Sequence, residues 1–574
     1  MQIGVLSLNQ KTTRWSRYGD YVFELLAHAG FPYLKISPEE LSDALPRLSV
    51  LVIPTQTPLS SEDQKKIAEF VAAGHVLIAC GGTSTLDEVL GCRNVAPLPE
   101  AWVGEHSDEH PITKGLTGAL HAFGGHRIAA GADVEVLASW LDPAGYNMER
   151  GWQDAVMGPA ITIRRLGKGA AVLIAADLVH SVVRIQQGKP VHVDAEPDSA
   201  GTALVNDGIL KTDDGLALDY DIDRQPIANT RFFGRGIADE WRELLLRAIL
   251  WGAAVTNTPL PMLWYWPDRL QAVGLISHDS DGNDPALADV LLENLQSLEI
   301  PSSWCIQYPG GYAPAFYKKL AQLGYEICLH YDAFTQRGRA YWGEADFRMQ
   351  LDWLRDMAGV PVVSNKNHYL RWEGLDEFFV WLENAGVTAD QTKGPSKTGN
   401  TGFPFGGSHP WFPIQEHKLR MIDVLEINLS TQDIALTCPL EIGPAVVDWA
   451  KAHYGIAHFL FHPAHAAKPH VAEAMRTVVN YGKEQGLPWW TCNQIADWER
   501  ARRQVRFNVC SDQNGTPVWS VSSAAHVPGA TLVWFGAAAP KSVGASEPVQ
   551  VSIYGFPATM QVVDLQENQT MIMQ

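Results

Sequence analysis

The sequence predicts a three-part α/β protein: an N-terminal doubly wound domain, a central distorted (β/α)7 barrel and a small C-terminal β-sandwich. Three observations carry this. Strand and helix signals alternate over residues 1–90, and the alternation resumes at 272 for about seven units. From about 506 short alternating strands with turn residues between them replace that rhythm. At 574 residues the chain is also far longer than one ordinary domain. The expected boundaries are 1–258, 264–505 and 506–574.

In the first segment "QIGVLSL" reads as a strand and "RYGDYVFELLAHAG" as an amphipathic helix stopped by Gly30. "LSVLVIPTQT" and "HVLIACGG" read as buried strands around the helix "SSEDQKKIAEFVAAG", which has a Ser/Glu start signal. "GKGAAVLIAADLVHSVVRIQQG" adds another strand and helix. Residues 190–235, with "VDAEPDSAG" and "LKTDDGLALDYDIDRQP", read as a polar excursion, a hairpin or an arm. "DEWRELLLRAILWGAAV" is a helix closing the domain, and "TNTPLPMLWYWPDRLQ" a Pro-rich connector.

Composition narrows the function classes. Hydrophobic residues make up 46% and charged residues 19%, an ordinary globular balance. A net charge of −20 argues against a nucleic-acid groove or an anionic membrane surface, both of which need clustered Lys and Arg. Seven scattered cysteines without a C-x-x-C pair fit neither a disulfide scaffold nor a Cys-rich zinc site. No apolar run approaches the length of a membrane span, and "MQIGVLSLNQ" lacks the pattern of a signal peptide, so a cytoplasmic protein is expected. Self-association is left open.

The chemistry concentrates where barrel strands should end. His278, Asp279 and Asp281 follow the first strand; His330 and Asp332 the third; His368 and Arg371 the fourth; His462 and His465 a late one. Barrels of this kind build their sites on that face. One carboxylate and two neutral imidazoles suit Zn²⁺ with a position left open for water. A neighbouring carboxylate outside the ligand set can take a proton, and a histidine opposite can give one. The loop "KGPSKTGNTGFPFGGSHPWFPI" reads either as a lid or as an ordered cap. As a lid it would offer His409 and Trp411 to substrate. A glycosidase or another C–N hydrolase on the same barrel is a second reading; glycosidases usually need a carboxylate pair, for which Asp279 and Asp332 are candidates. A non-catalytic sugar-binding or assembly protein is the third reading.

These residues resemble the polysaccharide deacetylase family, the NodB-homology fold of metal-dependent carbohydrate de-N-acetylases, over roughly 270–500. The resemblance implies that Asp279 is the general base, Asp281 a metal ligand and His330 the first histidine ligand. The family's His-Ser/Thr-x-x-His motif ends here in Phe334, so His368, in "NKNHYLRW", is the candidate replacement. Arg371 would orient the base. In "FLFHPAH" His462 would be the general acid and His465 a substrate contact, with Asp332 and Trp372 also lining the substrate. The implied reaction is hydrolysis of an acetamido or ester group on a sugar, with water activated by a divalent metal, zinc above all.

Residues 1–255 resemble the class I glutamine amidotransferase-like superfamily, whose sheet is flavodoxin-like. The nucleophile turn Gly-x-Cys-x-Gly reads Ile78-Ala79-Cys80-Gly81-Gly82, without its first glycine. His180 lacks the Pro and Glu that follow the family histidine. The domain is therefore expected to be non-catalytic, with Cys80 a buried thiol.

Overall fold

The structure is a computed structural model describing residues 2–7, 17–194, 208–334, 341–397, 399–511, 517–536 and 545–573. Most of "VDAEPDSAG" lies outside the described residues. The chain forms two compact units that do not follow the three expected segments. One holds Met1–Arg184, Glu240–Arg269 and Glu499–Gln574; the other holds Ile185–Asp239 and Leu270–Trp498. Among the described residues no helix is long and apolar enough to cross a membrane.

The first unit is built on a nine-stranded sheet. Its parallel part comprises β1 (Gln2–Leu6), β2 (Leu34–Ile36), β3 (Leu48–Ile53), β4 (Val76–Cys80) and β5 (Gly169–Ile174), in the order β2-β1-β3-β4-β5. That is the doubly wound order expected of alternating strands and helices. Helix α1 (Val22–Ala29) ends at Gly30 in the left-handed conformation, φ 72°. Helix α2 (Ser61–Ala72) starts where the Ser60 hydroxyl accepts from the Asp63 amide. Beyond β5 the sheet continues antiparallel through Val156–Leu166, Val134–Leu141, Glu100–Gly104 and Leu120–Phe123.

The C-terminal segment belongs to this unit and forms two antiparallel sheets. Three strands, Val505–Ser511, Pro517–Ser523 and Thr570–Met573, form one of them. The other has four strands, and one is Leu260–Leu263, which pairs with Val527–Phe535. The stretch read as a connector is thus partly a strand. Its buried residues complete a sheet whose other members begin more than 260 residues later.

The second unit is a curled, all-parallel sheet. Its strands are β6 (Val273–Asp279), β7 (Ser303–Gln307), β8 (Glu326–Tyr331), β9 (Ser364–Asn367), β10 (Ala389–Asp390), β11 (Leu425–Glu426), β12 (Thr431–Gln432), β13 (Ile456–Leu460) and β14 (Trp489–Trp490). The order is β11-β10-β9-β8-β7-β6-β13-β12, with β14 also on β6. The first strands are long, but those around the 393–413 loop shrink to pairs of residues.

Alternation along these strands sorts the side chains. Ile276, Trp304, Ile306, Ile327, Leu329, Tyr331 and Phe459 join the helices' Leu291, Leu295, Tyr317, Leu351 and Val479 in one apolar core. The alternate residues Ser277, Asp279, Gln307, His330 and Lys366 turn the other way and are buried. Segment 185–239 packs on this unit: Val191 bridges Gly374, Lys211 bridges Arg371 and Phe233 bridges Gly402. Asp213 accepts from the amides of Ser396 and Lys397 and from Asn400 Nδ2, so this excursion fastens the 393–413 loop.

Candidate metal centre

Asp279 closes β6, and the chain then turns at once. In that turn Ser280 Oγ donates to Asn283 Oδ1 (2.6 Å), Asn283 Nδ2 to the Gln307 carbonyl (2.8 Å), and the Gly282 amide to Gln307 Oε1 (2.9 Å). Asp284 then caps the next helix, accepting from the Ala286 amide. These bonds hold Asp279 inside, 3% exposed, while the Asp281 side chain stands half-open beside it.

His330, next to last in β8, lies on the same inner face. Its Nδ1 pairs with the Lys366 carbonyl at 2.9 Å, which leaves Nε2 as the lone-pair nitrogen. That Nε2 is buried, holds no hydrogen bond, and lies 3.2 Å from Asp281 Oδ1 and 3.8 Å from Asp279 Oδ2. His368 follows β9. Its Nδ1 is 3.2 Å from Asp332 Oδ1 and 3.1 Å from Gln307 Nε2, and its Nε2 is 3.7 Å from Asp281 Oδ2. Burial works against the His368 charge, yet Asp281 and Asp332 outweigh it and hold its pKa up at about 9. For Asp281 burial is likewise outweighed, and the histidines hold its carboxyl well below the usual range. Asp281, His330 and His368 present ligand atoms within 4.8 Å of one another, and this group could hold a metal ion. An orphaned buried imidazole nitrogen facing a carboxylate fits a hard or borderline divalent ion, Zn²⁺ included.

A second group, Asp433, His462 and His465, also has ligand atoms close enough for a metal. Its internal bonding assigns those atoms differently. Nδ1 of His462 and Nδ1 of His465 both reach Asp433 Oδ2, at 2.6 and 2.7 Å. The His462 amide donates to Asp433 Oδ1. That leaves His462 Nε2 aimed at the first group, 3.7 Å from Asp281 Oδ2. Burial pulls the His462 pKa down, but Asp433 more than offsets it and holds it up at about 9.

Two of the important partners went unread in the sequence. Asp433, in "STQDIA", follows the two-residue strand β12, too short to register as a strand end. Lys366 lies within β9, fully buried, with Nζ 3.6 Å from Asp279 Oδ1 and bonded to Ser277 Oγ. Ser277 Oγ in turn meets His458 Nε2 at 2.9 Å. The expected orienting arginine sits elsewhere. Arg371 pairs with Glu373 and lies over the Phe334 ring at 4.8 Å. The cation beside Asp279 is Lys366.

The structure sorts the other expected site residues. Phe334 stands edge-on to His368, ring centres 6.3 Å apart, and Tyr369, 48% exposed, lies 4.2 Å from the same imidazole. Asp332 accepts from Gln307 Nε2 and the Phe334 amide as well as facing His368, so it holds that histidine. Trp372 is fully buried against Phe378 and Phe379, with Lys393 Nζ 4.0 Å over its ring. His409 and Trp411 are 2% exposed; His409 Nε2 meets the His453 carbonyl and Trp411 Nε1 donates to Asn428 Oδ1. In the described part of the 393–413 loop these aromatic groups point inward, as in a cap. His278 lies on the outer face against Trp304, its Nδ1 on the Phe461 carbonyl.

No family model matches the sequence, and no curated protein matches it. Solved structures do. A protein from Mycobacterium smegmatis described as a polysaccharide deacetylase is 18% identical, over 42% of this chain and 93% of that one, with a TM-score of 0.32. β-Galactosidases from Bacillus circulans sp. alkalophilus and Rahnella sp. R3 are each 16% identical, with TM-scores of 0.25. The matches cover 32% and 31% of this chain and 30% of each enzyme.

In the other unit Cys80 ends β4 and is 1% exposed. Burial first, and Asp177 second, push its thiol far above the usual range. Asp177 accepts from Thr55 Oγ1 and from the His180 amide.

Proposed function

We propose that the curled-sheet unit is a metal-dependent hydrolase of acetylated carbohydrate, a de-N-acetylase or O-deacetylase. One observation carries the reading. Asp281, His330 and His368 converge from three strand ends, with Asp279 on one side and an Asp433-held His462 on the other. Asp281, His330 and His368 would hold the ion. When bound, it supplies Lewis acidity, lowering the pKa of a water and polarising a carbonyl oxygen.

The remaining groups divide the proton work. Asp279 turns Oδ2 toward the ligand cluster and Oδ1 toward Lys366, so one oxygen is held while the other is open to take a proton. Asp433 accepts from His462 Nδ1 and favours the imidazolium, whose second proton sits on Nε2; from there it can protonate a leaving amine or alkoxide. The half-exposed Tyr369 ring beside His368 gives a sugar ring an aromatic face to lie on. Asp332, committed to His368, Gln307 and the Phe334 amide, is poorly placed as a glycosidase's second carboxylate.

The test is acetate release from N-acetylated and O-acetylated oligosaccharides by zinc-loaded protein, with Asp279→Asn as the control. Zinc-loaded protein that releases acetate from none of them would overturn the reading.

A further inference from the structure

The doubly wound unit carries a cavity of about 700 Å³ at the carboxyl ends of β3 and β4, where open α/β sheets place ligands. Its walls include Gln56, Gln64, Thr83, Thr85, Asp87, Glu88 and Asn94, a lining rich in groups that bond hydroxyls.

Three carboxamides in this wall share one pattern: each is pinned at one end. Gln56 Oε1 accepts from the Ser84 amide at 3.0 Å, and Asn94 Oδ1 from the Thr83 amide at 3.1 Å. Gln64 Nε2 donates to the Leu59 carbonyl at 2.9 Å and to Thr85 Oγ1 at 3.2 Å. The opposite ends, Nε2 of Gln56, Nδ2 of Asn94 and Oε1 of Gln64, have no partner among the described residues. Two donors and one acceptor are therefore fixed in direction and left for something else.

The backbone is shaped around this arrangement. Gly81 and Gly82 have φ of 78° and 150°, and a Cβ on Gly82 would fall 2.3 Å from Gln56 Oε1. Ser84 and Thr85 follow with φ of 51° and 63°, which residues with side chains seldom adopt. That loop positions the amides that pin Gln56 and Asn94.

The charge of the wall limits the ligand. Asp87 and Glu88 oppose an anion, and the one cation, Lys65, has a side chain 79% exposed and turned to Glu69. Two carboxamide N–H groups oppose a cation. A neutral molecule whose groups both donate and accept satisfies all of these, and sugar hydroxyls do both. We propose that this cavity is a saccharide-binding site, with Gln56, Asn94 and Gln64 as its fixed contacts.

The test is titration calorimetry on the full chain with xylotetraose, cellotetraose, maltotetraose and mannotetraose, none of which carries the acetyl group that the proposed reaction removes. At least one should bind saturably at one site per chain. Gln56→Glu and Asn94→Asp keep the oxygen that the backbone amide pins and replace the free donor with an acceptor. Each should weaken binding at least tenfold, with the melting midpoint and zinc content unchanged. Asp281→Ala should leave binding intact, which separates this cavity from the metal centre. The proposal is overturned if none of the four sugars binds at millimolar concentration, if binding survives both carboxylate variants, or if Asp281→Ala abolishes it.

Discussion

Oδ1 of Asp332 lies 3.2 Å from Nδ1 of His368 and leaves the other ring nitrogen turned to Asp281. A carboxylate behind a histidine fixes its tautomer and orientation and strengthens it as a ligand. This yields the first prediction. Purified protein should bind about one Zn²⁺ per chain, and His368→Ala, His330→Ala and Asp281→Ala should each abolish tight binding. Asp332→Asn should retain the metal but weaken it roughly 10- to 100-fold. Zinc content after dialysis and competition with a chelator measure both. Full affinity in His368→Ala would remove His368 from the ligand set.

Asp279 Oδ2 is 3.8 Å from His330 Nε2, and its Oδ1 is 3.6 Å from Lys366 Nζ. Asp279→Asn should lower kcat by roughly 10²- to 10⁴-fold, the range for loss of a general base, while zinc stays bound. Unchanged turnover on acetylated oligosaccharide would take the base role from Asp279.

Lys366 is the cation that faces Asp279, so its loss should act through that carboxylate. Lys366→Met should reduce kcat with little change in KM, because the residue meets Asp279 and Ser277. Melting curves taken alongside would show whether burying Asp279 without its partner also destabilises the unit, as removing one member of a buried pair does. A variant with wild-type kcat would make Lys366 a packing residue only.

The strand-end pattern was legible because it rests on periodicity. Asp279 and Asp281 follow the apolar start of β6 and His330 the short apolar run of β8, and the sheet gathers those ends on one face. Asp433 was not legible because its strand is two residues long and carries no period. Lys366 was not legible for a related reason. "SNKN" is a strand of polar residues, and its alternation places the lysine inward only once β8 and β10 flank it. His409 and Trp411 looked like lid residues because Gly and Pro surround them. Their burial depends on segment 185–239 fastening the loop from far away in the chain, which no local signal records.

His409 therefore gives a structural prediction. Its Nε2 meets the buried His453 carbonyl at 2.6 Å. His409→Phe leaves that carbonyl without its partner, at a cost of about 1–3 kcal/mol. The melting midpoint should fall, and KM for acetylated oligosaccharide should stay the same. A raised KM with an unchanged midpoint would restore His409 as a substrate contact.

His278 supplies the pH prediction. Burial on the outer face of β6 pushes its pKa down to about 4, despite the bond to the Phe461 carbonyl. In the unfolded chain the imidazole titrates near its ordinary value of about 6.5. Below about 6.5 the unfolded state binds the proton and the folded state does not, so folding stability falls with pH and the loss is complete near 4. At pH 5 this one group removes about 2 kcal/mol relative to pH 7. His278→Gln has no such titration. It should start less stable than the parent at pH 7, and the gap should narrow by about that amount at pH 5, as read from urea unfolding followed by tryptophan fluorescence. A gap that stays constant between the two pH values would mean that His278 is not held neutral by its burial.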